Sequence, residues 1–335
     1  MGLTDSLAVG LLLVCAGGLC QGSFMAPAKW IRGWAWENYW LIFAFTAYLL
    51  CPWVLAFFTI PRLFDIYGGA PAGALGSVAI FGVGWGIGAV TFGLGVEAVG
   101  LALGFAVILG VATIAGAVIP LLVTPPAHFP FAQAVMTAAA LLVMLGGVAV
   151  CSFAGSWKES EAKSRNYRRG LLICIASGLL SSCGNLGFAF GSAITERAQL
   201  LGVPAAIAPN ALWTLLTLPL FLCNAGYAIR LLRKNGTAKL FGESTGRNLA
   251  LAVLMGGLWM AGIAFYGSGA RHLGELGTSL GWAILMSGTV LTASAFGVLT
   301  GEWKPAPPRA KRQLAWGVSL LLLAIAALGY ANHFQ

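Results

Sequence analysis

Ten long apolar stretches divide the chain, at 6–25, 37–59, 74–97, 101–124, 133–154, 170–193, 206–229, 247–269, 278–300 and 313–332, and sixteen of its nineteen lysines and arginines fall in alternate loops between them. Each stretch is long enough to cross ~30 Å of hydrocarbon as a helix, which takes about twenty residues. The sixteen are Lys29 and Arg32; Lys158, Lys163, Arg165, Arg168 and Arg169; Arg230, Arg233, Lys234, Lys239 and Arg247; and Lys304, Arg309, Lys311 and Arg312. Only Arg62, Arg197 and Arg271 fall in the intervening loops. Basic loops resist translocation, so this partition predicts a multi-pass protein of the cell inner membrane with the basic loops in the cytoplasm. Both termini then lie outside, in the periplasm of a Gram-negative host. Charged residues make up 9% of the chain, against the roughly 25% that a soluble domain uses to dress its surface.

The formal charge of +9 does not mark a nucleic-acid binder. No basic cluster sits on an extramembrane module large enough to grip a duplex, and the longest hydrophilic run, Ser156 to Arg169, mixes acids with bases. The basicity fits topology and contact with membrane lipid. The seven cysteines lie in or beside apolar stretches without metal-type spacing, and are expected to be reduced and packed. The first apolar run is full length and leads straight into more membrane, so no cleavable leader is expected. His128, His272 and His333 fall in loops or at a terminus, and no metalloprotease, nucleophile-elbow or phosphate-loop motif occurs. No enzyme chemistry, metal site or cofactor is therefore expected. A sensing role would need a cytoplasmic output domain, for which the loops leave no room.

Displacing the chain by 174 residues sets the third stretch on the eighth. Trp85 meets Trp259, and Gly82, Gly88, Gly93, Gly95 and Gly100 meet Gly256, Gly262, Gly267, Gly269 and Gly274. Phe92 falls on Tyr266 and Glu97 on Arg271. The same displacement carries stretches 2, 4 and 5 close to 7, 9 and 10. The chain thus reads as a first five-helix repeat (1–155), a cytoplasmic connecting loop (156–169) and a second repeat (170–335). Five crossings is an odd number, so the copies insert upside down relative to each other. The expected fold class is an all-α integral membrane protein, ten transmembrane helices in two inverted five-helix repeats, an architecture that suits alternating access around a site near the bilayer midplane. Glycine pairs at four-residue spacing, among them Gly82/Gly86 and Gly187/Gly191, allow close helix packing in lipid.

Several local runs carry a family resemblance. They include Ala26-Pro27-Ala28-Lys29, Trp34-Ala35-Trp36-Glu37, Trp85-Gly86-Ile87-Gly88, Phe92-Gly93-Leu94, the Gly100 to Gly104 run, Pro120, Asn224-Ala225-Gly226, Ile229-Arg230-Leu231, Gly256-Gly257-Leu258, Trp282, Met286-Ser287 and Glu302-Trp303. In this order and spacing the chain resembles the L-rhamnose/proton symporter family of the drug/metabolite transporter superfamily, over most of its length. The resemblance implies ten helices and proton-driven uptake of L-rhamnose or a related deoxy-hexose or pentose. An exporter of drugs, amino acids or other metabolites on the same scaffold is the alternative.

A deoxy-hexose needs aromatic walls for its apolar faces and neutral donors and acceptors for its hydroxyls. The apolar stretches offer Trp85, Trp213, Trp259, Tyr266 and Trp282 for the first, and Gln21, Asn185 and Asn210 for the second, with Ser23, Asn224 and Ser279 as further polar groups. Proton coupling needs an ionisable group whose exposure changes between the two facing states. Glu37, at the start of stretch 2, and Glu97, in the turn joining stretches 3 and 4, are the candidates; Glu37 could pair with Lys29 or Arg32, or stand as a helix N-terminal acid favoured by the macrodipole. No acid lies at mid-membrane in the sequence, which leaves a facilitator or a sodium-coupled mechanism open. Oligomeric state is not legible.

Overall fold

A computed structural model describes residues 3–156 and 167–331. The expected connecting loop therefore falls mostly outside the described residues, and with it Lys158, Lys163 and Arg165; so does His333. Among the described residues all regular structure is helical, and ten helices are long and apolar enough to cross a membrane. In order they are span 1 Leu3–Ser23, span 2 Trp36–Thr59, span 3 Ala72–Val99, span 4 Leu101–Val123, span 5 Phe131–Ser156, span 6 Tyr167–Phe190, span 7 Pro209–Asn235, span 8 Thr245–His272, span 9 Gly277–Leu299 and span 10 Pro308–Ala331. The ten expected stretches match these to within a few residues. Short helices at Ala26–Trp30, Leu63–Gly68, Ser192–Leu200 and Thr237–Gly242 occupy connections that hydropathy left without structure.

Neighbour relations carry the duplication. Span 3 packs along spans 6 and 7, and span 8 packs along spans 1 and 2. Span 4 lies on span 6 as span 9 lies on span 1. Exchanging each span for the one five places away converts one set of contacts into the other. Spans 2 and 7, 4 and 9, and 5 and 10, each pair mapping onto itself, are also in contact.

Glycines set the closest crossings. A Cβ on Gly88 would stand 2.6 Å from the Ser181 backbone nitrogen of span 6, and one on Gly262 would stand 3.0 Å from the Gly17 carbonyl of span 1. These two crossings are copies of each other. Without a hydrophobic force between helices in lipid, such backbone approach is a main source of association. Gly100 serves differently: at φ +89° it is the single residue between spans 3 and 4, in a backbone region that costs other residues. Glu97, expected in that turn, instead sits in the last turn of span 3.

Span 2 departs from a plain α-helix. Residues Phe45–Leu50 form a π-turn, with the Cys51 N–H reaching back to the Thr46 carbonyl. Pro52 is the sequence cause, since it has no N–H to give the Tyr48 carbonyl that an α-helix would pair with it. Such bulges cluster at functional sites.

The basic loops gather at one end. There Lys29 pairs with Glu302 and donates to Thr300 Oγ1 at 2.9 Å, while the Arg32 backbone exchanges two hydrogen bonds with the Asn248 amide, at 2.7 and 3.2 Å. At the opposite end Arg62 pairs with Asp65 at 2.7 Å, and Arg197 reaches the Asp65 carbonyl.

Candidate functional site

A chamber of about 560 Å³ lies between the halves, within the ~300–1,000 Å³ usual for small-molecule sites. Its mouth is at the basic end, where Trp36 opens span 2, Glu97 closes span 3 and Tyr227 and Leu231 lie near the end of span 7. It descends to Tyr48, Trp85 and Trp259 in the middle of spans 2, 3 and 8, and to Trp282 in the second turn of span 9.

Among the described residues, ten aromatic side chains line it and Glu97 is the one charged residue on the wall. Trp36 stacks on Trp40 at 4.8 Å between ring centroids and meets Tyr227 edge-on at 6.3 Å. Deeper in, Trp85 faces Trp259 at 5.5 Å, and the edge of Tyr48 meets Trp259 at 4.7 Å. These faces suit the C–H surface of a small ring.

Some polar groups on the wall are already committed. Trp40 Nε1 donates to Asn224 Oδ1 at 3.1 Å, and the Asn224 amide nitrogen donates to the Leu220 carbonyl at 3.0 Å. Gln21 Nε2 donates to the Trp259 carbonyl at 2.8 Å, tying span 1 to span 8. Among the described residues, Gln21 Oε1, the Tyr48 hydroxyl and the indole nitrogens of Trp85 and Trp259 lack a protein partner, and all four side chains line the chamber. Those atoms, with Ser181 Oγ deeper in and Trp36 Nε1, the Tyr227 hydroxyl and the Glu97 carboxylate nearer the mouth, are the hydrogen-bonding capacity left for a guest.

Trp282 forms the floor. Its Nε1 donates to the Ala112 carbonyl of span 4 at 3.1 Å, and its ring meets Tyr266 edge-on at 5.8 Å. Beyond it the protein is closed. Asn185, wholly buried, donates to the Gly116 carbonyl at 2.7 Å and the Thr278 carbonyl at 2.8 Å, and accepts a hydrogen bond from the Tyr266 hydroxyl. Four spans, 4, 6, 8 and 9, meet in that knot. Trp213 stacks on Phe188 at 4.9 Å beside Tyr266, and its Nε1 is buried with no partner among the described residues. Asn210 donates to Thr59 Oγ1 at 3.0 Å, tying span 7 to the end of span 2.

The structure therefore sorts the expected binding residues into two groups. Gln21, Trp85, Trp259 and Trp282 are brought together on the chamber wall, and Asn224 joins them. Asn185, Asn210, Trp213 and Tyr266 lie off the wall, in the closed end. Ser279 is buried, and Ser23 bonds back to the Cys20 carbonyl. Sequence reasoning passed over Tyr48, Trp40 and Phe92, which line the chamber. The Pro52 signal, read as a π-turn, points to Tyr48.

The two acids differ in setting. Glu97 lines the mouth. Glu37, 4% exposed, lies in the first turn of span 2 and pairs with neither Lys29 nor Arg32. Its Oε1 accepts from Asn235 Nδ2 at 2.9 Å and Thr237 Oγ1 at 2.6 Å, because the end of span 7 comes closer than the loop that carries the bases, and Lys29 is taken by Glu302. No cluster of three metal-ligating side chains occurs among the described residues, and the seven cysteines are free thiols.

A family model described as L-rhamnose-proton symport protein (RhaT) matches residues 3–332. Similar proteins include an L-rhamnose-proton symporter of Cronobacter sakazakii, 28% identical, with 99% of this chain and 100% of the relative covered. Those of Pectobacterium atrosepticum and Yersinia pestis are 27% and 26% identical, each with 98% of this chain and 100% of the relative covered.

Proposed function

The chain belongs to the L-rhamnose-proton symport protein (RhaT) family, a family of membrane transporters, and from that premise we propose that it imports L-rhamnose or a close deoxy-hexose or pentose together with a proton. The observation that carries the reading is the chamber itself. It has aromatic faces for the methyl and C–H surfaces of a deoxy-sugar, and a few neutral, unpartnered donors and acceptors for its hydroxyls. Gln21, Trp85, Trp259 and Trp282 hold the sugar, with Tyr48 beside them. The halves 1–155 and 170–335 rock about this site, so that it opens to each side in turn. With the basic loops in the cytoplasm and both termini in the periplasm, the chamber described above faces inward.

The proton carrier is one of the two acids, Glu97 at the mouth or Glu37 under the span 7 terminus. Glu97 fits the role better, because closing the mouth removes it from water while Glu37 already holds a closed set of partners. Sodium in place of the proton is the alternative coupling ion.

A second reading, an exporter of amphipathic cations or amino acids, draws on one observation. A chamber of aromatic rings with a single carboxylate also suits a cation. Counterflow in proteoliposomes separates the two. Saturable exchange of radiolabelled L-rhamnose, with accumulation driven by an imposed pH gradient, is the expected result. Exchange of cations or amino acids without exchange of sugar would replace the first reading by the second.

A further inference from the structure

The two ends of the site are built from equivalent residues. Spans 3 and 8 superpose at a displacement of 174, and the glycine crossings fix the displacement of spans 1 and 6 at 164. Gly262 rests on Gly17 where Gly88 rests on Ser181, and Gly269 rests on Gly10 where Gly95 rests on Cys174. With that register Gln21 is the counterpart of Asn185, and Phe92 is the counterpart of Tyr266.

The second pair is locked at the closed end, with the Tyr266 hydroxyl on Asn185 and the Asn185 amide on the Thr278 and Gly116 carbonyls. The first pair faces the open chamber, Gln21 on one wall and Phe92 on another, beside Phe105, which packs edge-on against Phe92 at 4.9 Å. The counterpart of Thr278 is Gly104, next to Phe105. Of these counterparts Gln21 and Phe92 line the open chamber, and Gly104 adjoins Phe105 on its wall.

We propose that these are the two gates of the transport cycle, and that Gln21 and Asn185 exchange duties: with its own end open an amide keeps one bond to the opposite repeat, as Gln21 does to the Trp259 carbonyl, and leaves its oxygen to the substrate, and with its end shut that oxygen and the amide nitrogen take the partners that close the gate, as Asn185 does with Tyr266, Gly116 and Thr278. The gates are unequal by one hydroxyl. Tyr266 donates to its amide, and Phe92 has nothing to donate, so the gate on the Tyr266 side is the stronger and the empty protein rests open at the basic end. A buried amide left short of a partner is penalised, which makes that single oxygen decisive. The inference rests on the alternating-access part of the proposed function and not on which solute is carried.

Hydrogen-exchange mass spectrometry on the full-length protein in lipid nanodiscs, with no sugar present, tests it. Tyr266→Phe is expected to shift the ratio of the two facing states by about fivefold or more, the factor that corresponds to the loss of roughly 1 kcal/mol. Exchange then rises at residues 273–282 and falls around residues 92–108. Phe92→Tyr gives the weaker gate its missing donor and is expected to protect residues 92–108 while loosening 273–282. Unchanged exchange in both folded variants, or a rise at 273–282 without protection at 92–108 in either, overturns the proposal. Should Phe92→Tyr fail to fold, Tyr266→Phe, which keeps the ring, decides alone. Because no sugar enters the measurement, a wild type that exchanges no L-rhamnose leaves this result standing, and a negative result here leaves the sugar assignment standing.

Discussion

Trp85 and Trp259 occupy the same position in the two repeats and face each other across the chamber with ring centroids 5.5 Å apart and planes inclined by 38°. One comes from span 3 and the other from span 8, so any motion of one repeat against the other alters this gap. A pair so placed can grip a flat apolar face in one state and release it in the other.

Replacing Trp259 by Ala removes a ring that touches both Trp85 and Tyr48. If the lost contact between ring and sugar is worth about 0.5–1.5 kcal/mol, as an aromatic pair is, the half-saturation concentration for L-rhamnose counterflow should rise roughly twofold to tenfold. Membrane insertion, followed by detergent-extracted yield and a monodisperse elution profile, should be unchanged. Wild-type kinetics in both Trp259→Ala and Trp85→Ala would remove the chamber as the sugar site.

Glycine substitutions should separate crossings from bystanders. Gly88→Ala drives a methyl into the Ser181 backbone, whereas Gly257→Ala meets open space. Overpacking of the first kind costs about 1–3 kcal/mol. The expected outcome is a clearly lowered unfolding temperature for Gly88→Ala and no measurable change for Gly257→Ala, read by differential scanning fluorimetry in detergent.

Glu97→Gln removes the one charge on the chamber wall among the described residues. Accumulation driven by a pH gradient should be lost while sugar exchange at equal pH continues. The same experiment on Glu37→Gln should leave coupling intact, and accumulation that collapses only in the Glu37 variant would transfer the proton to that residue.

Glu37→Ala has a second consequence. It leaves Asn235 and Thr237 without their shared acceptor and unties span 2 from the end of span 7. Hydrogen bonds to a charged group contribute about 1.5–3 kcal/mol, so this variant should be measurably less stable than Glu37→Gln, which keeps an acceptor in place.

Much of this architecture could be read before any coordinates, because in a membrane protein length and apolarity answer directly to bilayer thickness. The duplication was legible for the same reason that Gly88 and Gly262 matter: a crossing too close for a side chain allows little else. What the sequence concealed was depth and state. Gln21 and Asn185 are alike as buried amides, and only packing reveals that one faces a cavity while the other is enclosed by Gly116, Thr278 and Tyr266. The partners of Glu37 were hidden because Asn235 and Thr237 lie some 200 residues away, while nearby Lys29 is claimed by Glu302. Tyr48 was missed because hydropathy has no vocabulary for a π-turn.

If the protein imports as proposed, a chamber that rests open at the basic end also sets the tempo of uptake. A carrier found in that posture must complete its return stroke unloaded before it can collect the next molecule from outside. When sugar is scarce, throughput then depends on how fast the vacant protein turns around, and tighter grip on the cargo would do little to hasten it.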